Sequence, residues 1–194
     1  MSVNQSAAKA TMPEAPEKIT AADHRKLRGG LTLVLLSAMM PFLVMIDVRY
    51  LLTDGYVSPE ANQAIGLISA ILMLLSGIWI GGAVRAGQKG NLLSFLRHLA
   101  TTFVLGAASL VLTGVQLFNH SVDIVSHYGE TFVTTLGLMD VYILVGLISL
   151  LALRMRVKRL GTSMDHSWGM KGNMIAWRFI VVACLVMYVQ LYLL

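Results

Sequence analysis

The sequence predicts an all-α integral membrane protein with five transmembrane helices. Its 194 residues are 56% hydrophobic and 13% charged, with a mean hydropathy of +0.71, which is far more apolar than a water-soluble domain. The apolar residues form five stretches of about 20 residues, the length that crosses a bilayer as a helix. Because lipid offers no partner for backbone N–H and C=O groups, each stretch must satisfy them internally as a helix. A water-soluble enzyme is thereby excluded.

The chain divides into a polar N-terminal segment and a transmembrane domain. Residues 1–30 are rich in Ala, Ser, Pro, Glu and Lys and contain no apolar run, so we predict a disordered cytoplasmic tail without a cleavable signal peptide. Residues 31–194 form the five-helix domain. Its predicted spans lie at about 31–52, 63–84, 95–118, 132–153 and 174–194. Pro41 lies inside the first span, where a transmembrane helix tolerates it.

The basic residues are distributed unevenly between the two sides of the membrane. Of the 15 Lys and Arg residues, five lie in the tail, three around the connection after the second span and five in the connection after the fourth. Arg49 alone lies on the opposite side, and Arg178 lies within the last span. Since loops rich in Lys and Arg stay in the cytoplasm, we predict a cytoplasmic N-terminus and an external C-terminus. The pI of 9.6 therefore reflects membrane topology, and no nucleic-acid partner is predicted.

No residue set in the sequence is expected to hold a cofactor or a metal. A single cysteine, Cys184, excludes an internal disulfide and a CxxC metal site. The histidines lie in the tail, in loops or at the ends of the third span: His24, His98, His120, His127 and His166. A haem b between helices needs histidines that face one another across the bundle, and the other four spans have none. We therefore expect no haem, metal or catalytic site in this chain.

Two charged residues, Asp140 and Arg178, lie inside predicted spans, where charge is costly and usually functional. A rise of about 1.5 Å per residue places them about 12 Å apart in membrane depth. An Arg side chain near the inner end of a span also extends readily to the interface. We therefore expect Arg178 to reach the cytoplasmic interface and Asp140 to be protonated or to face polar groups of another chain. A direct ion pair is the alternative.

Small residues in the second and third spans are candidates for helix packing. Gly77 and Gly81 form a GxxxG motif, and Gly106 and Gly114 border a run of Ala, Ser and Thr. Such faces allow two helices to approach closely. The sequence leaves open whether they pack within this chain or against another subunit.

Three features follow one another from the second span to the C-terminus. Residues 74–119 contain Leu-Leu-Ser-Gly-Ile-Trp, a basic Arg-Ala-Gly-Gln-Lys-Gly turn and a glycine-bearing helix; residues 132–146 and Trp177-Arg178-Phe179 come after them. Together they resemble subunit III of the haem–copper terminal oxidases. The resemblance implies a non-redox accessory subunit that packs against catalytic subunit I and other oxidase subunits. Such a subunit can hold phospholipid between its helices, while haem and copper belong to the partner subunit.

The resemblance also implies a location and a role in aerobic electron transport. Five spans with a cytoplasmic N-terminus match the shorter bacterial form of the family, as in quinol oxidases, and so imply the bacterial inner membrane. The subunit would stabilise the oxidase core and shape proton or oxygen access. The alternative is a standalone membrane protein, either a transporter or a haem-b or quinone anchor. Five spans do not divide into two equal repeats, which counts against a transporter.

The polar residues typical of the family are replaced in this chain. Gln116 stands where the family carries a buried glutamate, and Met139 and Tyr142 take the places of a His-x-x-His pattern with Asp140 between them. Arg178 replaces the histidine of a Trp-His-Phe motif, and Val181 replaces an acidic residue. A glutamine can form hydrogen bonds but cannot exchange a proton. The interior polar candidates are therefore Gln116, Asp140 and Arg178, in a subunit that we expect to be structural.

Overall fold

The five predicted spans are five α-helices. The computed structural model describes residues 21–54, 56–59, 61–119, 122, 125–160 and 167–193, and in these ranges there is no β-strand. The helices are α1 (Ala21–Thr53), α2 (Gln63–Gln88), α3 (Leu92–Phe118), α4 (His127–Leu160) and α5 (Ser167–Tyr192). All five are long and apolar enough to cross a membrane. The predicted fold class is confirmed.

All five helices extend beyond the predicted spans, and α1, α4 and α5 do so by five residues or more at one or both ends. α1 begins at Ala21, so the last ten residues assigned to the tail are helical; residues 1–20 lie outside the described part of the chain. α4 begins at His127, which was expected in the outer loop, and ends at Leu160. The added turns contain helix-forming Ala, Leu, Lys and Arg and no proline, so nothing ends the helix at the edge of the apolar stretch. Hydropathy therefore located the spans but not the helix ends.

α2 and α3 form an antiparallel hairpin closed by a three-residue turn. Gly90 adopts φ +73°, a left-handed conformation that favours glycine. Asn91 then caps α3, because its side-chain oxygen accepts a hydrogen bond from Ser94 N at 3.1 Å. Asn62 caps α2 in the same way and accepts from Ile65 N at 3.2 Å. The short turn and the two caps together fix the alignment of α2 and α3.

The facing surfaces of α2 and α3 repeat every seven residues. The buried residues of α3 are separated by alternating steps of four and three: Phe95, Leu99, Thr102, Gly106, Ser109, Thr113 and Gln116. A matching set lies on α2: Gly66, Ser69, Met73, Ser76, Ile80, Ala83 and Gly87. This spacing keeps one seam in contact along two supercoiled helices. Many seam residues are small or hydroxylated, which allows the close approach typical of membrane helices.

α5 completes the bundle with a buried tryptophan. Trp177 is 1% exposed, and its Nε1 donates to Ser76 Oγ at 3.1 Å. Its ring lies against two glycines of neighbouring helices. A Cβ atom at Gly106 would come within 2.7 Å of the Trp177 ring, and one at Gly146 within 2.8 Å. These two positions of α3 and α4 therefore accept glycine because the indole occupies the space of a side chain.

α1 lies on the outside of the bundle formed by α2–α5. Among the described helices it contacts α4 and α5. Phe42 is its buried anchor, with its ring 4.7 Å from that of Tyr142. Tyr142 Oη donates to Ala38 O at 2.9 Å, and Gln190 Nε2 donates to Met45 O at 3.4 Å. Most of the other apolar side chains of α1 are exposed, as expected for a helix that faces lipid on most of its surface.

Candidate functional site

Several polar residues inside α2–α5 form a layer in the half of the bundle that contains the ends of α3 and α5. Asp140 of α4 lies in this layer, and its Oδ1 accepts a short hydrogen bond from Thr113 Oγ1 of α3. One turn further in, Ser69 and Ser109 join α2 to α3 with an Oγ–Oγ distance of 2.7 Å. These side chains are fixed by one another, so Asp140 is held in one orientation.

Gln116 links three segments at the end of the same layer. Its Nε2 donates to Asn62 O at 2.9 Å, and its Oε1 accepts from Tyr192 Oη at 2.7 Å. Gln116 and Tyr192 are both 3% exposed. An amide can donate to a carbonyl and accept from a phenol at the same time, whereas an ionised carboxylate can only accept. Glutamine at position 116 can therefore form both hydrogen bonds, whereas an ionised glutamate could only accept the one from Tyr192.

Arg178 and Asp140 are not paired in the structure. Among the described residues the ion pair observed is His127 with Glu130, at 3.9 Å and exposed to solvent. Arg178 is exposed on α5, and its Nη2 lies 3.0 Å from the position that a Cβ of Gly81 would occupy. Among the described residues, the Asp140 carboxyl has one hydrogen-bond partner, Thr113. The sequence favoured protonation of Asp140 or a partner from another chain.

The four packing glycines lie at different contacts. Gly77 faces Val181 of α5, with 3.1 Å between the Val181 Cγ1 atom and an added Cβ, and Gly81 of the same GxxxG motif lies beneath Arg178. Gly106 receives the Trp177 ring. Gly114 differs from the other three, because an added Cβ would meet only Asp140 Oδ2, at 4.0 Å. Three of these glycines thus lie against side chains of this chain, and Gly114 lies beside free space.

Sequence reasoning missed Arg49, which was counted only as an outer-side charge. Arg49 is 1% exposed, and its guanidinium lies 5.5 Å from the ring centroid of Tyr128. Its Nε, Nη1 and Nη2 atoms have no hydrogen-bond partner among the described residues. The position of one Arg near the end of an otherwise apolar helix was the available signal, but the facing Tyr128 comes from a segment 79 residues away.

The histidines are scattered over the described residues. His98 lies beside Gly82, 3.1 Å from an added Cβ, and His127 is near Glu130. His120, His166 and the side chain of His24 lie outside the described residues. In the described part of the chain no group of three or more His, Cys, Asp or Glu residues could hold a metal ion.

Comparison with known proteins identifies the family. Residues 55–194 match the family described as Cytochrome c oxidase subunit III. The chain is 30% identical over 129 residues to cytochrome c oxidase subunit 3 of Rhipicephalus sanguineus, which covers 66% of this chain and 50% of that protein. It is 27% identical over 137 residues to the same subunit of Pelomedusa subrufa, covering 70% and 52%, and 26% identical to that of Loxodonta africana, with the same coverage.

The match fits the structure closely. It contains all of α2–α5, and α1 precedes it. The chain spans about half the length of these curated relatives. The match does not favour the alternative of a standalone transporter or a haem-b or quinone anchor. The resemblance noted in the sequence is confirmed, and the chain belongs to the cytochrome c oxidase subunit III family.

Proposed function

We propose that this chain is a non-redox accessory subunit of a respiratory haem–copper oxidase. The observation that carries the proposal is that the family match coincides with the packed bundle α2–α5. Inside that bundle the polar side chains serve packing: Trp177 with Ser76, Gln116 with Tyr192, and Ser69 with Ser109. In this proposal haem and copper belong to a partner chain, catalytic subunit I, and the present chain stabilises it.

The outer surface of the bundle is suited to lipid and to protein neighbours. Several side chains that expose more than half of their surface are β-branched: Val104, Val111, Val141, Val145 and Ile148. Such faces can be covered by phospholipid chains or by another transmembrane helix. A rigid subunit of this kind would hold lipid against the catalytic subunit and shape proton or oxygen access to it.

The basic residues support a cytoplasmic N-terminus, and the five-span form that the family resemblance implies places the chain, in this proposal, in a bacterial inner membrane. Arg85 is in the last turns of α2 and Arg97 in the first turns of α3, while Lys158 and Arg159 end α4. In an antiparallel bundle these helix ends lie on the side where α1 begins. Loops rich in Lys and Arg remain cytoplasmic. The layer that contains Asp140 and Gln116 then belongs to the outer half of the membrane.

The function is tested by purifying the chain with an N-terminal tag from its own membranes in mild detergent. We expect co-purification of a large multi-span chain and haem signals in reduced-minus-oxidised spectra, which vanish when the tagged chain is isolated. Recovery of the chain alone and colourless would refute the assignment as an oxidase subunit. Haem retained by the isolated chain would refute its non-redox character. As a control, His98→Ala and His120→Ala should leave the haem spectrum of the complex unchanged.

The topology is tested separately by labelling with a membrane-impermeant thiol reagent. Cys184 is 2% exposed and does not compete with introduced cysteines. A cysteine at Asn119 should react in intact spheroplasts, and a cysteine at Lys89 should react only after the membrane is opened. The reverse pattern would place the N-terminus outside.

A further inference from the structure

Asp140 has one carboxylate oxygen without a partner. Thr113 donates to Oδ1, while Oδ2 accepts no hydrogen bond from any described residue. Thr113 lies five residues before the end of α3, about 8 Å along the helix axis, so the carboxyl group is below the membrane boundary. An unpaired carboxylate oxygen in hydrocarbon costs free energy, because lipid chains supply no hydrogen-bond donor. The structure therefore leaves an acceptor to be satisfied from outside this chain.

Two glycines of α3 and α4 near Asp140 have open space where a side chain would be. Gly114 of α3 has only Oδ2 near it, 4.0 Å from an added Cβ. Gly137 lies one turn before Asp140 on α4, and a Cβ added there would meet nothing within 4 Å. Residues three apart share one side of a helix. We call the surface formed by Gly114, Gly137 and Asp140 the Asp140 notch.

A second exposed carboxylate in the membrane-spanning helices does not have these properties. Asp47 is exposed on α1, six residues before the end of that helix at Thr53. Because its side chain is free on the helix surface, it can turn toward the aqueous boundary. Asp140 is partly buried and held by Thr113, so it cannot leave the bundle in the same way. Asp140, a fixed acceptor beside a gap between helices, is therefore better placed than Asp47 to bind a partner side chain.

We infer that the Asp140 notch receives a transmembrane helix of another subunit of the complex, and that a Lys or Arg side chain of that helix donates to Asp140 Oδ2. The inference rests on the proposed function, because it needs a partner subunit. A cationic donor fits the charge of this group, because a carboxylate within a membrane is stabilised by an opposite charge that approaches through a dry interface. The glycines allow the partner backbone to come close enough for that contact.

The first test replaces the charge without changing the shape. Asp140→Asn keeps an acceptor for Thr113 but turns an N–H group toward the partner cation. We expect the haem that co-purifies with the tagged full-length chain to fall at least about tenfold, since the cation is left unpaired. Asp47→Asn is the matched control and should leave the yield of haem unchanged. The helical content and unfolding midpoint of the isolated variants verify that both fold.

The second test fills the notch. Gly137→Leu adds a side chain where this chain has open space, so the isolated chain should fold normally while association drops about tenfold or more. Gly30→Leu, at an exposed helical glycine of α1 that also meets nothing within 4 Å, is the matched control. A benzophenone side chain at position 137 should crosslink to a membrane-spanning chain of the oxidase, and one at Val182 on the exposed surface of α5 should not.

The outcomes separate this inference from the proposed function. If the wild-type chain brings no oxidase subunit with it, the proposed function fails, and the inference fails with it. If the wild type associates and Asp140→Asn and Gly137→Leu associate equally well, the function stands and the Asp140 notch is not the docking surface. A crosslink from position 137 to lipid alone would also overturn the inference, since it would show lipid as the occupant.

Discussion

α1 is as apolar as α2 of the bundle formed by α2–α5, but the two regions use their apolar residues differently. The most apolar stretches of α1 and α2 have the same mean hydropathy, yet 6% of residues are buried in the first and 39% in the second. The seam of α2 and α3 contains glycine, serine and threonine at heptad positions, whereas α1 is attached through a few contacts around Phe42. The hydropathy of a helix thus indicates that it crosses a membrane, whereas small and hydroxylated residues at heptad positions indicate that it packs against another helix.

The family match shows the same division. It begins at residue 55, immediately after α1, and continues to the C-terminus. The helices that share sequence with known relatives are therefore those that bury one another's side chains. α1 is the part of the chain in which lipid-facing positions dominate, and such positions demand only apolar character.

The largest effect that distinguishes the two regions should come from Trp177. Trp177→Ala would remove a side chain that is 1% exposed and leave a cavity between Gly106 and Gly146. We expect the free energy of unfolding to fall by about 3–5 kcal/mol. Leu33→Ala, at a position of α1 that is 69% exposed, should change it by less than about 0.5 kcal/mol. Unfolding in mixed micelles with increasing dodecyl sulfate measures the free energy of unfolding of both variants. Equal losses of stability would show that α1 and the bundle do not differ in packing.

Two glycine-to-alanine substitutions test the same difference between α1 and the bundle by adding a methyl group. Gly106→Ala should destabilise the bundle by about 1–3 kcal/mol, because the new Cβ would lie 2.7 Å from the Trp177 ring. Gly30→Ala on α1 has free space and gains helix propensity, so it should be neutral or stabilising by up to about 1 kcal/mol. The same titration measures both variants. A Gly106→Ala chain as stable as the wild type would show that the indole does not need the glycine.

Arg49 should give an effect of the opposite sign. Its guanidinium is buried without a hydrogen-bond partner among the described residues, and its favourable contact is the Tyr128 ring. Replacing an unpaired buried charge by an apolar side chain of similar length is often stabilising, so Arg49→Met should raise the free energy of unfolding of the isolated chain by about 1 kcal/mol or more. The loss of the ring contact limits the gain. A clear decrease in stability would show that the guanidinium has a partner.

The smallest effect should come from a single hydrogen bond in the polar layer. Tyr192→Phe removes the donor to Gln116 Oε1 and should cost about 0.6 kcal/mol, the average for such bonds in membrane proteins. Tyr50→Phe, at a position of α1 that is 45% exposed, is the control and should cost less. The position of the amide band of Gln116 in difference infrared spectra gives a second measurement. If it does not shift in Tyr192→Phe, the bond is absent.

Many residues of the site could be identified from the sequence, but the contacts between them could not be predicted from it. Gln116, Asp140 and Arg178 were recognisable because polar residues stand out in apolar spans. Their partners were not predictable, since Thr113 and Tyr192 are common residues for a helix seam and for a helix end. The burial of Arg49 also escaped prediction, because it depends on α1 lying against the start of α4.

The sequence by itself determined five membrane-crossing helices and the family, because hydropathy and local motifs are properties of short segments. The tertiary structure alone decided that α1 is peripheral, that Trp177 occupies the space beside two glycines and that Thr113 holds one oxygen of Asp140. Those facts depend on contacts between residues far apart in the chain. Close packing between helices sets them, and the small residues of one span indicate that it packs closely without showing which residues of another helix it meets.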